Sequence, residues 1–87
     1  MPERVLVLGG GDGLIHRELL KYKGIKNIVH VDIDRKLVAL AKTHPILSTL
    51  NRGAFNNPRV QTIFNDGFQY LRHYSGKKYD AIYMDFP

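Results

Sequence analysis

Short β-branched apolar runs alternate with stretches of helical period along the whole chain. Arg4-Val5-Leu6-Val7-Leu8 reads as a buried strand ended by glycines. Gly13 to Tyr22 predicts a helix with Leu14, Ile15, Leu19 and Leu20 facing inward and Arg17, Glu18 and Lys21 facing out. Lys23-Gly24 stops it, glycine being favoured just past a helix end. Asn27 to Asp32 is a second strand. Arg35 to Thr43 is a second helix through Leu37, Val38, Leu40 and Ala41, closed by Pro45. Ile46, Leu47 and Leu50 suit one or two amphipathic turns, and Asn51 to Asn57 is a polar connector. A third strand follows at Arg59 to Phe64, a short helix at Asp66 to Tyr74 carrying Phe68 and Leu71, and a fourth strand at Tyr79 to Met84, running into Asp85.

This β-α-β-α-β-α-β order implies a parallel sheet with helices packed on it, an α/β Rossmann-like architecture. Right-handed crossovers favour the sheet order 3-2-1-4. The pattern stops just after the fourth strand, where such domains normally continue. Residues 1–87 are therefore expected to form a single partial domain, the nucleotide-binding half of a larger one.

Composition narrows the class only slightly. With 44% hydrophobic and 24% charged residues the chain is an ordinary globular one. No apolar run approaches the roughly 20 residues of a membrane-spanning helix. Met1-Pro2-Glu3-Arg4 leads straight into a strand rather than a signal peptide. Without cysteines, disulfides and thiolate metal sites are excluded. A cytoplasmic setting is the default expectation.

Charge changes the picture more. The net charge is +5, but the basic residues are spread over helix faces and turns without aromatic interleaving, so a nucleic-acid partner is not expected. Five of the eight acids, Asp12, Asp32, Asp34, Asp66 and Asp85, fall at or just after strand C-terminal ends. In open α/β sheets that edge binds ligands. A basic chain that gathers carboxylates there is suited to a ligand that is cationic or rich in hydroxyls.

Gly9-Gly10-Gly11-Asp12-Gly13 lets the backbone turn sharply and approach a ligand closely. The last small residue of a dinucleotide fingerprint is replaced by Leu14, which disfavours NAD. Asp32 lies about 20 residues beyond the loop, a spacing at which a carboxylate accepts from ribose hydroxyls. Asp34 is read mainly as a helix cap. No third ligand accompanies the pair, so a metal site is not expected. After the third strand, Asp66 either caps a helix or accepts from an exocyclic amine, with Gly67 approaching a flat base. Asp85 is either a solvated strand end or a proton acceptor for an amine nucleophile. The histidines His16, His30, His44 and His73 have no metal-ligand spacing and are assigned to packing or surface.

Taken together, Val5 to Gly13, the Arg17-Glu18 pair, Val31-Asp32-Ile33-Asp34, Asp66-Gly67 and Tyr79 to Asp85 resemble the spermidine synthase family of aminopropyltransferases over nearly the whole chain. His44-Pro45-Ile46-Leu47, Leu50 to Ala54, Asn57 to Val60 and Asp85-Phe86-Pro87 resemble a bacterial branch, some members of which carry membrane-spanning segments elsewhere. The resemblance implies an S-adenosylmethionine-methyltransferase-type fold. It implies decarboxylated S-adenosylmethionine as substrate, without a metal, and putrescine or another polyamine as acceptor, in a homo-oligomeric complete protein. Carried over by position, Gly9, Gly10 and Gly11 line the sulfonium side, Gly13 counts with them among the cofactor-binding residues, and Asp12 holds the aminopropyl ammonium. Asp32 takes the ribose hydroxyls, where most of the family has Glu, while Asp66 and Gly67 meet the adenine. Asp85 deprotonates the attacking amine. The family's further substrate-binding Asp and its later strands would lie beyond Pro87, so this stretch alone is not expected to turn over. An S-adenosylmethionine methyltransferase is the runner-up, but such enzymes commonly carry an acid two residues before the first loop glycine, where this chain has Val7. A non-catalytic nucleotide-binding module is the third reading.

Overall fold

A computed structural model describes residues 1–86; Pro87, the last residue of the Asp85-Phe86-Pro87 stretch, lies outside the described residues. Four strands, β1 (Arg4–Gly9), β2 (Asn27–Asp32), β3 (Val60–Phe64) and β4 (Ala81–Asp85), pair in parallel in the order β3-β2-β1-β4. Between them run α1 (Leu14–Leu19), α2 (Arg35–Thr43), α3 (Pro45–Leu50) and α4 (Gly67–His73), with a 3-10 turn at Ala54–Asn56. The order expected from handed crossovers is the order found. The sequence steps outward from β1 to β3 and then returns to β4. That reversal places a topological switch point at the C-terminal ends of β1 and β4, where a crevice opens.

Alternation along β1 divides the core between the two sheet faces. Val5 and Val7 pack with Leu19, Ile25 and Ile28 on one face, and Leu6 and Leu8 pack with Val29 and Val31 on the other, beneath Tyr70 and Leu71 of α4. Both faces of β1 are covered, which is why its run is apolar without a polar partner position. Each such side chain contributes about 1.5–3 kcal/mol on burial.

Three expectations shift in detail. The first helix is the six-residue α1 rather than Gly13 to Tyr22, because after Leu20 the amides of Lys21 and Tyr22 turn to carbonyls three residues back. Leu14 is exposed rather than inward, while Ile15, Leu19 and Leu20 pack on the core as expected and His16 is fully buried beside them. The fourth strand starts two residues late, at Ala81, because Asp80 accepts from the amides of Glu3 and Arg4, both at 2.9 Å, and pins the strand entrance. No helix among the described residues is long and apolar enough to cross a membrane.

Candidate ligand cleft

A cleft of about 550 Å³ opens at the switch point. Gly9, Gly10, Gly11 and Asp12 form its floor, and Val31 to Asp34 with Leu37 form one wall. Asn65, Asp66, Gly67 and Phe68 form the other wall, and Asp85 and Phe86 close the end. Five carboxylates line it, those of Asp12, Asp32, Asp34, Asp66 and Asp85, and no lining residue is Lys or Arg. In a chain of net charge +5 that segregation makes the cleft the acidic region of a basic molecule.

The glycine loop is shaped by contact with β4. Gly9 has φ +82°, and a Cβ there would stand 2.4 Å from the Asp85 carbonyl oxygen. Gly10 donates its amide to that same oxygen at 3.0 Å. Gly11 faces β2, where a Cβ would come 2.9 Å from Asp32 Oδ2. Gly13 does not line the cleft; it faces the opposite way, toward Asn51 and Phe55, and acts as the N-cap of α1. It belongs to the support of the loop rather than to its ligand face.

Each acid has a distinct set of partners. Asp12 Oδ1 accepts from the Leu14 amide at 3.0 Å. Asp34 Oδ1 accepts from Leu37 at 2.9 Å, which makes it the cap of α2. Asp66 Oδ1 accepts from both Phe68 and Gln69 at 3.0 Å and caps α4, so one oxygen serves the helix and the other is left for the cleft. Asp32 is nearly buried, with Oδ1 taking the Asp34 amide at 2.9 Å and Oδ2 paired with His30 Nε2 at 3.0 Å. Asp85 is exposed at the end of β4, directly opposite Gly9 in the ladder. Asp32 and Asp34 do not converge on a common point with a third group; among the described residues no three His, Asp or Glu side chains form a metal-ligand set.

Several residues that matter here carry little signal in the sequence. Asn51, read there as connector, is fully buried: its amide donates to the carbonyls of Asp12 at 3.0 Å and Ala41 at 2.8 Å, and its oxygen accepts from Gly53 and Ala54. It ties the loop to α2. Ile33, Phe68 and Phe86 form an apolar rim, with the two phenyl rings stacked 5.9 Å apart. Ile33, between two aspartates at the end of β2, is exposed and lines the cleft. His30, read from the sequence as a packing or surface residue, is buried and pairs with Asp32.

The spermine/spermidine synthase domain model matches residues 1–87, and the chain belongs to that family. It is 44% identical to the polyamine aminopropyltransferase of Pyrobaculum calidifontis over 86 residues, covering 97% of this chain and 29% of the relative. Superposed on the spermidine synthase of Thermotoga maritima it has a TM-score of 0.84 at 30% identity, covering 97% of this chain and 28% of that one. A spermidine synthase in complex with the transition-state analogue AdoDATO gives a TM-score of 0.86 at 29% identity, covering 99% of this chain and 28% of that one. The chain thus spans less than a third of the length of the curated relative and solved structures it matches.

Proposed function

We propose that this domain binds decarboxylated S-adenosylmethionine in the cleft, and that the complete protein transfers its aminopropyl group to putrescine or a related polyamine. The observation that carries the reading is the cleft with five carboxylates and no cation beside a glycine loop. Both substrates are cations, and such a cleft attracts them while offering no counter-charge for a substrate carboxylate. The likeness to a spermidine synthase holding AdoDATO supports the same ligand class.

In this reading the amine nitrogen attacks the methylene carbon next to the sulfonium. A C–N bond forms, the C–S bond breaks, and its electron pair returns to sulfur as methylthioadenosine leaves. The nitrogen sheds one proton to the Asp85 carboxylate, which reaches the cleft from the strand end facing Gly9. Sulfonium is already a good leaving group, so alignment supplies much of the acceleration. Asp12 holds the aminopropyl ammonium with the oxygen that Leu14 leaves free. Gly9 to Gly11 let the backbone approach the sulfonium, Asp32 takes the ribose hydroxyls, and Asp66 with Gly67 meets the adenine against the apolar rim of Ile33 and Phe68. A methyltransferase would have to hold a carboxylate in this acidic cleft, and the chain has Val7 where such enzymes commonly place an acid.

Calorimetric binding of decarboxylated S-adenosylmethionine against S-adenosylmethionine tests the reading directly in the complete protein. A clear preference for the decarboxylated form is expected. A preference for S-adenosylmethionine would transfer the protein to the methyltransferases and leave Asp85 without its role.

A further inference from the structure

His30 is an expensive choice for its position. It lies in the middle of β2, fully buried between apolar neighbours, with its ring 5.3 Å from Phe55 and 4.4 Å from His16. An imidazole taken out of water needs partners for its nitrogens. Burial lowers its pKa, against the opposing pull of Asp32 and the Gly9 carbonyl, so the ring is neutral near pH 7 and carries one N–H. A carboxylate only accepts, which puts that proton on Nε2, 3.0 Å from Asp32 Oδ2. Nδ1 then faces the Thr62 hydroxyl on β3 at 3.5 Å. The chain Thr62, His30, Asp32 thus runs across the sheet and ends at the cleft wall.

Asp32 needs such a support. Its side chain is short, and its Oδ2 lies close under Gly11, where any Cβ would crowd it. The Asp34 amide holds Oδ1 and His30 holds Oδ2, so the plane of the carboxylate is set from both sides. Each oxygen retains a lone pair for a ligand hydroxyl. A donor that fixes a carboxylate before the ligand arrives removes the ordering cost from the binding step.

Resting on the assignment of Asp32 to the ribose, we propose that His30 is a positioning residue for ribose recognition. It acts through Asp32, orienting the carboxylate toward a vicinal diol, and touches no ligand itself. Its effect is therefore confined to ligands that carry the diol.

The test compares calorimetric binding of methylthioadenosine and its 2′-deoxy analogue to the complete protein and to His30→Leu. The unsubstituted protein is expected to prefer the ribose form by about tenfold or more, as a site built to hydrogen-bond a hydroxyl does. In His30→Leu that preference should fall to about threefold or less, while affinity for the deoxy analogue stays within about twofold. His30→Gln, which keeps a donor, should recover part of the preference. If the leucine variant does not fold, His30→Met, a more adaptable apolar replacement, is read in the same way. Equal weakening of both ligands, or an undiminished preference, would overturn the role of His30 while leaving Asp32 on the ribose. No preference in the unsubstituted protein would instead overturn the ribose assignment of Asp32, and the role of His30 with it.

Discussion

Gly10 and Asp85 meet at the switch point of the sheet: the Gly10 amide donates to the Asp85 carbonyl at 3.0 Å, and a Cβ on Gly10 would lie 3.2 Å from Asp85 Oδ2. The glycine loop and the end of β4 are therefore one unit. Glycine at the loop is required by β4 as much as by any ligand, since the loop must pass the end of that strand at backbone distance.

Gly9→Ala tests this coupling. The new methyl would stand 2.4 Å from the Asp85 carbonyl oxygen at a φ of +82°. A loss of about 1–3 kcal/mol is expected from the backbone strain alone, together with weakened methylthioadenosine binding. Denaturant unfolding and calorimetry check the two effects; unchanged values in both would mean the loop relaxes freely.

Asp85→Asn removes the proposed proton acceptor and keeps the shape of the strand end. Aminopropyl transfer should fall by about 10²–10⁴-fold, with methylthioadenosine binding within a few-fold of normal. A steady-state assay with putrescine checks this, and near-normal turnover would send the search to another base.

Asp12→Asn separates charge from the hydrogen bond to Leu14. The amide oxygen still accepts from the Leu14 amide, so stability should change little, whereas an alanine would also lose that hydrogen bond, worth about 1 kcal/mol. The preference for decarboxylated over ordinary S-adenosylmethionine should disappear. If calorimetry finds that preference intact, Asp12 does not hold the ammonium.

Asn51→Ala takes this partner from the carbonyls of Asp12 and Ala41, while the amides of Gly53 and Ala54 keep the backbone carbonyls of Ser48 and Asn51. Unpaired buried groups cost about 1–3 kcal/mol each, and some will find water, so a loss of about 3 kcal/mol is expected. Because Asp12 is one of the freed groups, ligand binding should weaken as well. A destabilised variant with unaltered affinity would show that the tie serves the fold alone.

His16 gives the protein a pH dependence. It is fully buried with neither ring nitrogen hydrogen-bonded among the described residues, and burial, reinforced by neighbouring His30, lowers its pKa to about 3. The unfolded chain takes up that proton near pH 6.5 and the folded chain does not. Stability is therefore full above about pH 6.5 and declines as the pH falls toward 3, by up to ~1.4 kcal/mol per unit. His16→Leu should flatten that slope and, by removing unpaired polar atoms from the interior, raise stability at neutral pH by about 1 kcal/mol. Unfolding midpoints at pH 7 and pH 5 decide it; equal slopes in both proteins would refute the assignment.

The alternation of runs such as Arg4 to Leu8 with helical periods was enough to give a parallel sheet. The handedness of crossovers was enough to order it β3-β2-β1-β4. The acidic edge was legible for the same reason. In a parallel sheet every strand ends on the same side, so acids placed after four different strands must share one rim. What the tertiary structure alone decided are the partners of particular side chains. Asp32 with its His30 clamp, Asn51 reaching Asp12 across 39 positions, and Gly13 turned away from the cleft depend on register and on how α2 seats over the sheet. Periodicity reports which face a residue takes. It carries nothing about which distant backbone or ring that face will meet, because those meetings are settled only when the separate elements pack together.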